Sequence, residues 1–166
     1  MKLGRLIVVF GLFGFGNFAL AQSLPCLSRG ANLAVDNQQV LTWKMTTKNQ
    51  FHARGHVEGT IRQIYSDHSG HHHYEVGIGP GANDTVEVIY NEDFGGVPQV
   101  HAGSTIEACG DYITSNAPSG HFPASPDGAL LHWVHMSPSL QRHDSGFIIL
   151  DGIVCGQEAG SAGPKH

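Results

Sequence analysis

Apolar positions follow two rhythms along the chain. Residues 31–43 contain no Gly or Pro and place Leu33, Val40 and Leu41 near helical spacing, which predicts a short amphipathic helix. From His52 the rhythm becomes alternation: Val57, Gly59, Ile61 and Gln63 share one face, and His56, Glu58, Thr60 and Arg62 the other, as in a long strand. A turn at Ser66-Asp67-His68-Ser69-Gly70 follows. His72, Tyr74, Val76 and Ile78 then alternate with His73, Glu75 and Gly77 until Pro80-Gly81 stops the strand. Further strands are predicted at 84–90, 104–113, 128–135 and 147–154, separated by a Gly- and Pro-containing stretch and by a Pro- and Ser-rich loop at 115–127. Five to six short strands after one helix predict an all-β fold, a small OB-like β-barrel with a short N-terminal helix.

The first segment reads as a leader. Lys2 and Arg5 form a basic start, residues 6–18 an apolar core, and Ala19-Leu20-Ala21 a small-x-small cleavage pattern, so 1–21 is expected to be a signal peptide cut before Gln22. The apolar run falls short of the roughly 20 residues needed to span hydrocarbon, so no membrane span is expected after cleavage. The predicted organisation is then an N-terminal segment with the helix at 22–50, the barrel at 51–155 and a Gly-rich tail at 156–166. No repeat or long linker divides the barrel into two cores. A periplasmic or secreted protein is expected.

Composition refines this picture. Of 166 residues, 40% are hydrophobic and 14% charged, with 22 Gly and 8 Pro, which excludes a disordered chain and favours many turns. Removing 1–21 takes Lys2 and Arg5 with it, lowering the 9 basic side chains to 7 against 14 acidic ones, a net charge of −7 on the remaining 145 residues. Such a balance argues against nucleic acid as a partner, because backbone binding needs a basic groove. The three cysteines suit an oxidising compartment. Cys26 precedes the first patterned segment and Cys155 follows the last, so a bridge between them would tie the ends of the domain, with Cys109 left as a small buried residue. Cys109–Cys155 is the rival pairing.

Twelve histidines are the outstanding chemical feature. Neutral imidazole is the commonest side-chain ligand for transition metals, so several His converging with a carboxylate would suit zinc or another divalent transition metal. The best-defined piece is Leu131-His132-Trp133-Val134-His135-Met136-Ser137-Pro138, followed by His143-Asp144-Ser145-Gly146. On a regular strand His132 and His135 would project to opposite faces, so they share a site only where a bulge or strand end falls between them; Pro138 and the polar loop place such an end nearby. The competing reading has His132 packed beneath Trp133, with His135 and His143 bonding backbone carbonyls. His71-His72-His73 is a weaker signal, since only His71 and His73 share a strand face. Asn91-Glu92-Asp93 supplies carboxylates at a strand end, or simply forms an Asx turn.

These residues resemble a family of small exported bacterial proteins classed as a domain of unknown function. The similarity spans about residues 55–150. It rests on Val57-Glu58-Gly59, on Asp67 with His71 and Tyr74, on Asn91 and Asp93, on Gly103 and Gly110, on His132-Trp133-Val134-His135 with Pro138, and on His143 with Gly146. The His-Trp-x-His-x-x-Pro element is the specific part. The chain departs from the pattern at Tyr90, where the family tends to carry another His, and by its 115–127 loop and its cysteines. The resemblance implies a site without a reaction. It selects His71, Asn91, Asp93, His132, His135 and His143; of these, His71, Asp93, His132, His135 and His143 are the expected metal ligands, with Asn91 and Trp133 in support.

Three functions compete. A metal-binding barrel would be a hydrolase if three protein ligands left a coordination position open, and a carrier or structural site if four closed it. A metal-free module would bind a small molecule or oligosaccharide such as a glycan or peptidoglycan fragment on the barrel face. A metal-free hydrolase would pair His with Asp93 or Asp144, but only Ser145 offers itself as a nucleophile and no G-x-S-x-G element supports it.

Overall fold

A computed structural model describes residues 24–67, 69–139 and 143–158 of the chain. The expected leader at 1–21, His68, residues 140–142 and the tail from 159 lie outside the described residues. The described residues open with a tiny hairpin, β1 (Leu27–Ser28) and β2 (Ala31–Asn32), turned by Arg29 and Gly30, both at positive φ (51° and 80°) as a two-residue hairpin turn of mirror-image type requires. Helix α1 (Asn37–Thr46) follows. It starts six residues later than the apolar spacing predicts because Asp36 caps it, accepting the Gln39 N–H at 2.9 Å.

Strands β3 (His52–Ile64), β4 (His71–Gly77), β5 (Thr85–Asn91), β6 (Thr105–Thr114) and β7 (Ala129–His132) form the barrel. They are ordered β3-β4-β5-β7-β6, and β6 closes the ring by pairing with β3. Neighbours are antiparallel except β5 and β7, which run parallel. The closed five-stranded barrel with one short helix is the expected all-β, OB-like architecture. Closure depends on β3, whose first nine residues pair with β6 and whose end pairs with β4. At the corner, a Cβ on Gly59 would overlap the Gly77 carbonyl, so the two strands meet there only because position 59 lacks a side chain.

The alternation of β3 to β7 fills the barrel with Val57, Ile61, Tyr74, Val76, Val86, Val88, Tyr90, Ala108, Tyr112 and Leu131, all buried. Helix α1 closes one end: Val40 and Leu41 are buried, and Trp43 lies 5.3 Å from Tyr112 between ring centroids. Lys44 Nζ from the same helix donates to the Thr85 carbonyl at 2.9 Å, which fixes the start of β5 at the helix end. The ends of β5 and β7 and the start of β4 therefore gather at the opposite end.

The expected sixth strand at 147–154 is instead a hairpin, β8 (Phe147–Leu150) and β9 (Ile153–Cys155), added to the edge of β6. Asp151-Gly152 makes its turn, with φ values of 47° and 82°. The expected Cys26–Cys155 bridge is also corrected. Cys26 is joined to Cys109, with a Cα–Cα distance of 5.6 Å, and Cys155 is a free, buried thiol; the rival Cys109–Cys155 pairing is not formed either. Cys109 follows the inward Ala108 on β6 and so points out of the barrel, where it meets Cys26 and Phe147 in a small second apolar cluster; Cys155 belongs to the main core.

Candidate functional site

At the end of the barrel opposite α1, strand alternation sorts the histidines. On β4, Tyr74 and Val76 point inward, so His71 and His73 lie on the outer face and His72 on the inner parity. On β7, Leu131 points inward and His132 outward. His71 and His132 thus reach the same outer surface, with ring centroids 5.9 Å apart.

His135 reaches that surface because β7 ends. The strand stops at His132, and Trp133 adopts φ 52°, a left-handed conformation that a bulky residue seldom takes. This reversal removes the alternation that would have sent His132 and His135 to opposite faces. The turned segment lies against glycines. A Cβ on Gly146 would overlap the Cys109 and Trp133 carbonyls, and one on Gly110 the His132 carbonyl. Backbone bonds pin it: Gly146 N–H donates to His135 O at 2.7 Å and Met136 N–H to Gly156 O at 2.6 Å. His143 returns from the following loop with its ring edge-on to His135 at 5.4 Å. Trp133 stands beside both His132 (4.6 Å) and His143 (5.9 Å), and Phe94 stacks on the buried His135.

Three of the four imidazoles commit the same nitrogen. Nδ1 of His71, His135 and His143 lies 3.0, 2.8 and 2.9 Å from the carbonyls of Ser69, Met136 and Asp144. A carbonyl only accepts, so Nδ1 carries a proton in each, and in the neutral ring Nε2 is the nitrogen with the lone pair. The competing expectation, that His135 and His143 bond backbone carbonyls, is therefore met at Nδ1 without using Nε2. The electrostatics agree with neutral rings. Burial, followed by the neighbouring His71, His135, His73 and His143, pushes His132 down to about 4. Burial also lowers His135, reinforced by His143 and His71 and opposed by its bond to Met136 O.

The remaining expected residues divide. Asn91 accepts the Asp93 N–H at 2.9 Å and caps a single 3-10 turn, Glu92–Phe94, which is the Asx-turn alternative. Asp93 itself is exposed on that turn, and its carboxylate makes no hydrogen bond or ion pair with an imidazole among the described residues. His72 is engaged elsewhere, between Asp67 (2.9 Å) and Glu92 (3.4 Å). Among the described residues no group of three or more His, Cys, Asp or Glu side chains is gathered tightly enough to hold an ion as it stands.

Two participants were not foreseen. Glu87, buried on the outer side of β5, receives His73 Nδ1 at 2.7 Å and the Ser125 hydroxyl at 2.5 Å, under the 115–127 loop. Nothing in Thr-Val-Glu-Val-Ile-Tyr distinguishes a covered outward Glu from a solvated one. Phe94 offered no signal beyond its hydrophobicity. Away from the histidines, a cleft of about 430 Å³ is lined by Lys44, Tyr65, Glu75, Thr85 and Asp127, with the Tyr65 hydroxyl 3.1 Å from both carboxylates. Among the described residues no helix is long and apolar enough to cross a membrane. Comparison with protein-family models, curated proteins and solved structures finds no match.

Proposed function

We propose that this is an exported protein that binds a transition-metal ion through His71, His132, His135 and His143. The observation that carries the reading is the shared commitment of Nδ1 to backbone carbonyls in three of these rings, which is how ligating histidines are oriented and which leaves Nε2 as the donor. Ring spacing supports it. An Nε2–metal distance of about 2.0 to 2.1 Å puts each ring centroid about 3.2 Å from the ion, so two imidazoles sharing a tetrahedral ion sit about 5 Å apart. The His71–His132 and His135–His143 pairs, at 5.9 and 5.4 Å, each lie close to that spacing. Neutral rings favour the same reading, because a metal competes with protons for the lone pair.

Four imidazoles fill a tetrahedral shell, which favours a carrier or storage role; hydrolysis would require water to replace one of them. Export is supported by the leader pattern and by the disulfide, which belongs in an oxidising compartment. Protein prepared without a His tag or nickel column and analysed for metal after dialysis should retain about one ion per chain. His132→Ala or His135→Ala should abolish retention, and His72→Ala, which removes a ring paired with Asp67 and Glu92, should not. Equal retention in all three variants would overturn the assignment. The cleft between Tyr65, Glu75 and Asp127 supports a second reading, a binding module for a small polyhydroxylated molecule, whose hydroxyls would suit two carboxylates and a phenol.

A further inference from the structure

Tyr65, Glu75 and Asp127 are one proton short. The Tyr65 hydroxyl lies 3.1 Å from Glu75 Oε2 and 3.1 Å from Asp127 Oδ2. A phenol carries a single proton and an ionised carboxylate only accepts, so with both carboxylates ionised one of these contacts sets oxygen against oxygen with no hydrogen between them. The nearby cations are engaged by backbone carbonyls. Lys44 Nζ donates to those of Asn83 and Thr85 at 2.7 and 2.9 Å, and the Arg62 guanidinium to those of Gly79, Gly81 and Ala82 at 2.8 to 3.0 Å. Asp127 is buried, where a charge without a close counterion is costly.

We propose that Glu75 and Asp127 share one added proton through Tyr65, and that this proton latches the 115–127 loop to the barrel. With it in place the chain of donors is complete: the Asp127 carboxyl donates to Tyr65 Oη, whose own proton goes to Glu75, or the same in reverse. Asp127 ends the loop, whereas Tyr65 follows β3 and Glu75 lies in β4, so these bonds join loop to barrel wall. Burial raises the Asp127 carboxyl above the ordinary 3.8 and Glu75 adds to the rise, while Thr85 of β5, Tyr65 and Lys44 of α1 oppose it, with Asp84 and Arg62 facing the lysine. Tyr65 keeps its own proton, because burial and then Asp127 push its phenol above the ordinary 10. A carboxyl raised on folding stabilises the folded state fully below its unfolded value, here 3.8, and that contribution is lost as pH rises through the folded value. The latch is therefore closed in acid and opens as the shared proton leaves for water.

Carbon-13 NMR of the side-chain carboxyls and amide hydrogen exchange, each followed on metal-free protein from about pH 4 to pH 8, test the two parts. The Asp127 and Glu75 carboxyl carbons should report a common pair of inflections, the upper one above 3.8, as two groups titrating as a unit do. In Glu75→Gln the Asp127 carbon should report one inflection only. Exchange reads the loop base, where Ser125 N–H donates to Ser115 O and Gly128 N–H to Ser125 O, each at 2.9 Å. Corrected for intrinsic exchange rates, protection of these two amides should fall about tenfold as pH rises through the upper inflection, the change that one unit of pKa difference produces. Asp127→Asn, whose amide donates to Tyr65 without titrating, should keep its protection at every pH. If that variant does not fold, Tyr65→Phe decides in its place: without the bridging hydroxyl, protection should be low and independent of pH. Separate single inflections in the ordinary carboxyl range, unchanged by Glu75→Gln, would overturn the shared proton. Paired inflections with level protection of the loop in wild type, or the wild-type fall persisting in Asp127→Asn or Tyr65→Phe, would overturn the latch.

Discussion

His132 shows how one residue couples the site to stability. Its imidazole is half-buried beside other histidines, and its pKa falls from the ordinary 6.5 to about 4. The unfolded chain therefore takes up a proton at this position near pH 6.5 while the folded chain refuses it until about pH 4. The stability associated with the neutral ring is complete above pH 6.5 and is lost as pH falls through about 4. The sum is on the order of 3 kcal/mol. Urea titrations of metal-free protein between pH 7 and pH 4 should show this slope, and His132→Phe, which cannot protonate, should flatten it. A variant that keeps the full slope would place the acid sensitivity elsewhere. Asp127 works in the opposite sense: burial raises its carboxyl above the ordinary 3.8, so its ionised form opposes folding and Asp127→Asn should relieve that opposition at neutral pH.

At the scale of elements, the segment from β7 to β8 builds the site, and it is made by termination rather than by regularity. Trp133 in the left-handed region ends β7, and Gly110, Gly146 and Gly156 leave room for the reversed backbone. Gly146 is the most demanding of these. Its φ is unexceptional, so the restriction is space alone, set by two backbone carbonyls that cannot swing aside as a side chain would. Gly146→Ala should lower unfolding free energy by about 3 kcal/mol and weaken metal retention together, because it displaces the carbonyls of Trp133 and Cys109. Gly103→Ala, which meets nothing within 4 Å, has only its positive φ of 97° to pay for and should leave retention intact. Loss of retention in both would mean that general instability, and not the packing of this segment, controls the site.

The same element shows what a sequence can and cannot reveal. Alternation from His52 to Ile64 and from His71 to Gly77 placed the long strands, because one buried face writes a period of two into the residues. Pro138 and the polar loop made a strand end near His135 legible, and with it the chance that His132 and His135 share a side. The exact reversal at Trp133 was not legible, since no local rule puts a tryptophan at positive φ. Asp151-Gly152 was a readable turn signal inside the apolar run of 147–154, and the hairpin it creates follows ordinary turn chemistry. Asp93 was drawn toward the site by its place at a strand end and by the family resemblance; its exposed place on the 3-10 turn follows from Asn91 capping that turn. Glu87 is the reverse case, a carboxylate buried by a loop whose path the residues did not announce.

Over the whole molecule, the barrel closes through backbone pairing, and the N-terminal arm is held to it by core packing, hydrogen bonds and a covalent bond. Helix α1 packs Val40, Leu41 and Trp43 onto the barrel core, Asp36 N–H bonds His56 O at 2.9 Å, Arg54 Nε bonds Leu27 O at 3.1 Å, and Cys26 is joined to Cys109. That bridge spans 83 residues and encloses the helix, β3, β4 and β5. In the chain-entropy view, a loop of this size removes about 4 kcal/mol of disorder from the unfolded state, equivalent to roughly 10 °C in Tm for a domain of this length. The double variant Cys26→Ser/Cys109→Ser should therefore melt about 10 °C lower while keeping the strand-dominated circular dichroism, since the backbone pairing of the barrel does not run through the sulfurs. Cys155→Ala should melt close to wild type, because this thiol is buried among apolar neighbours and pairs with nothing covalently. Thiol counting separates the pairings directly: denatured, unreduced protein should expose one reactive thiol, and alkylation followed by peptide mapping should place it at Cys155. Label found at Cys109 would restore the end-to-end bridge, and label at Cys26 the rival one.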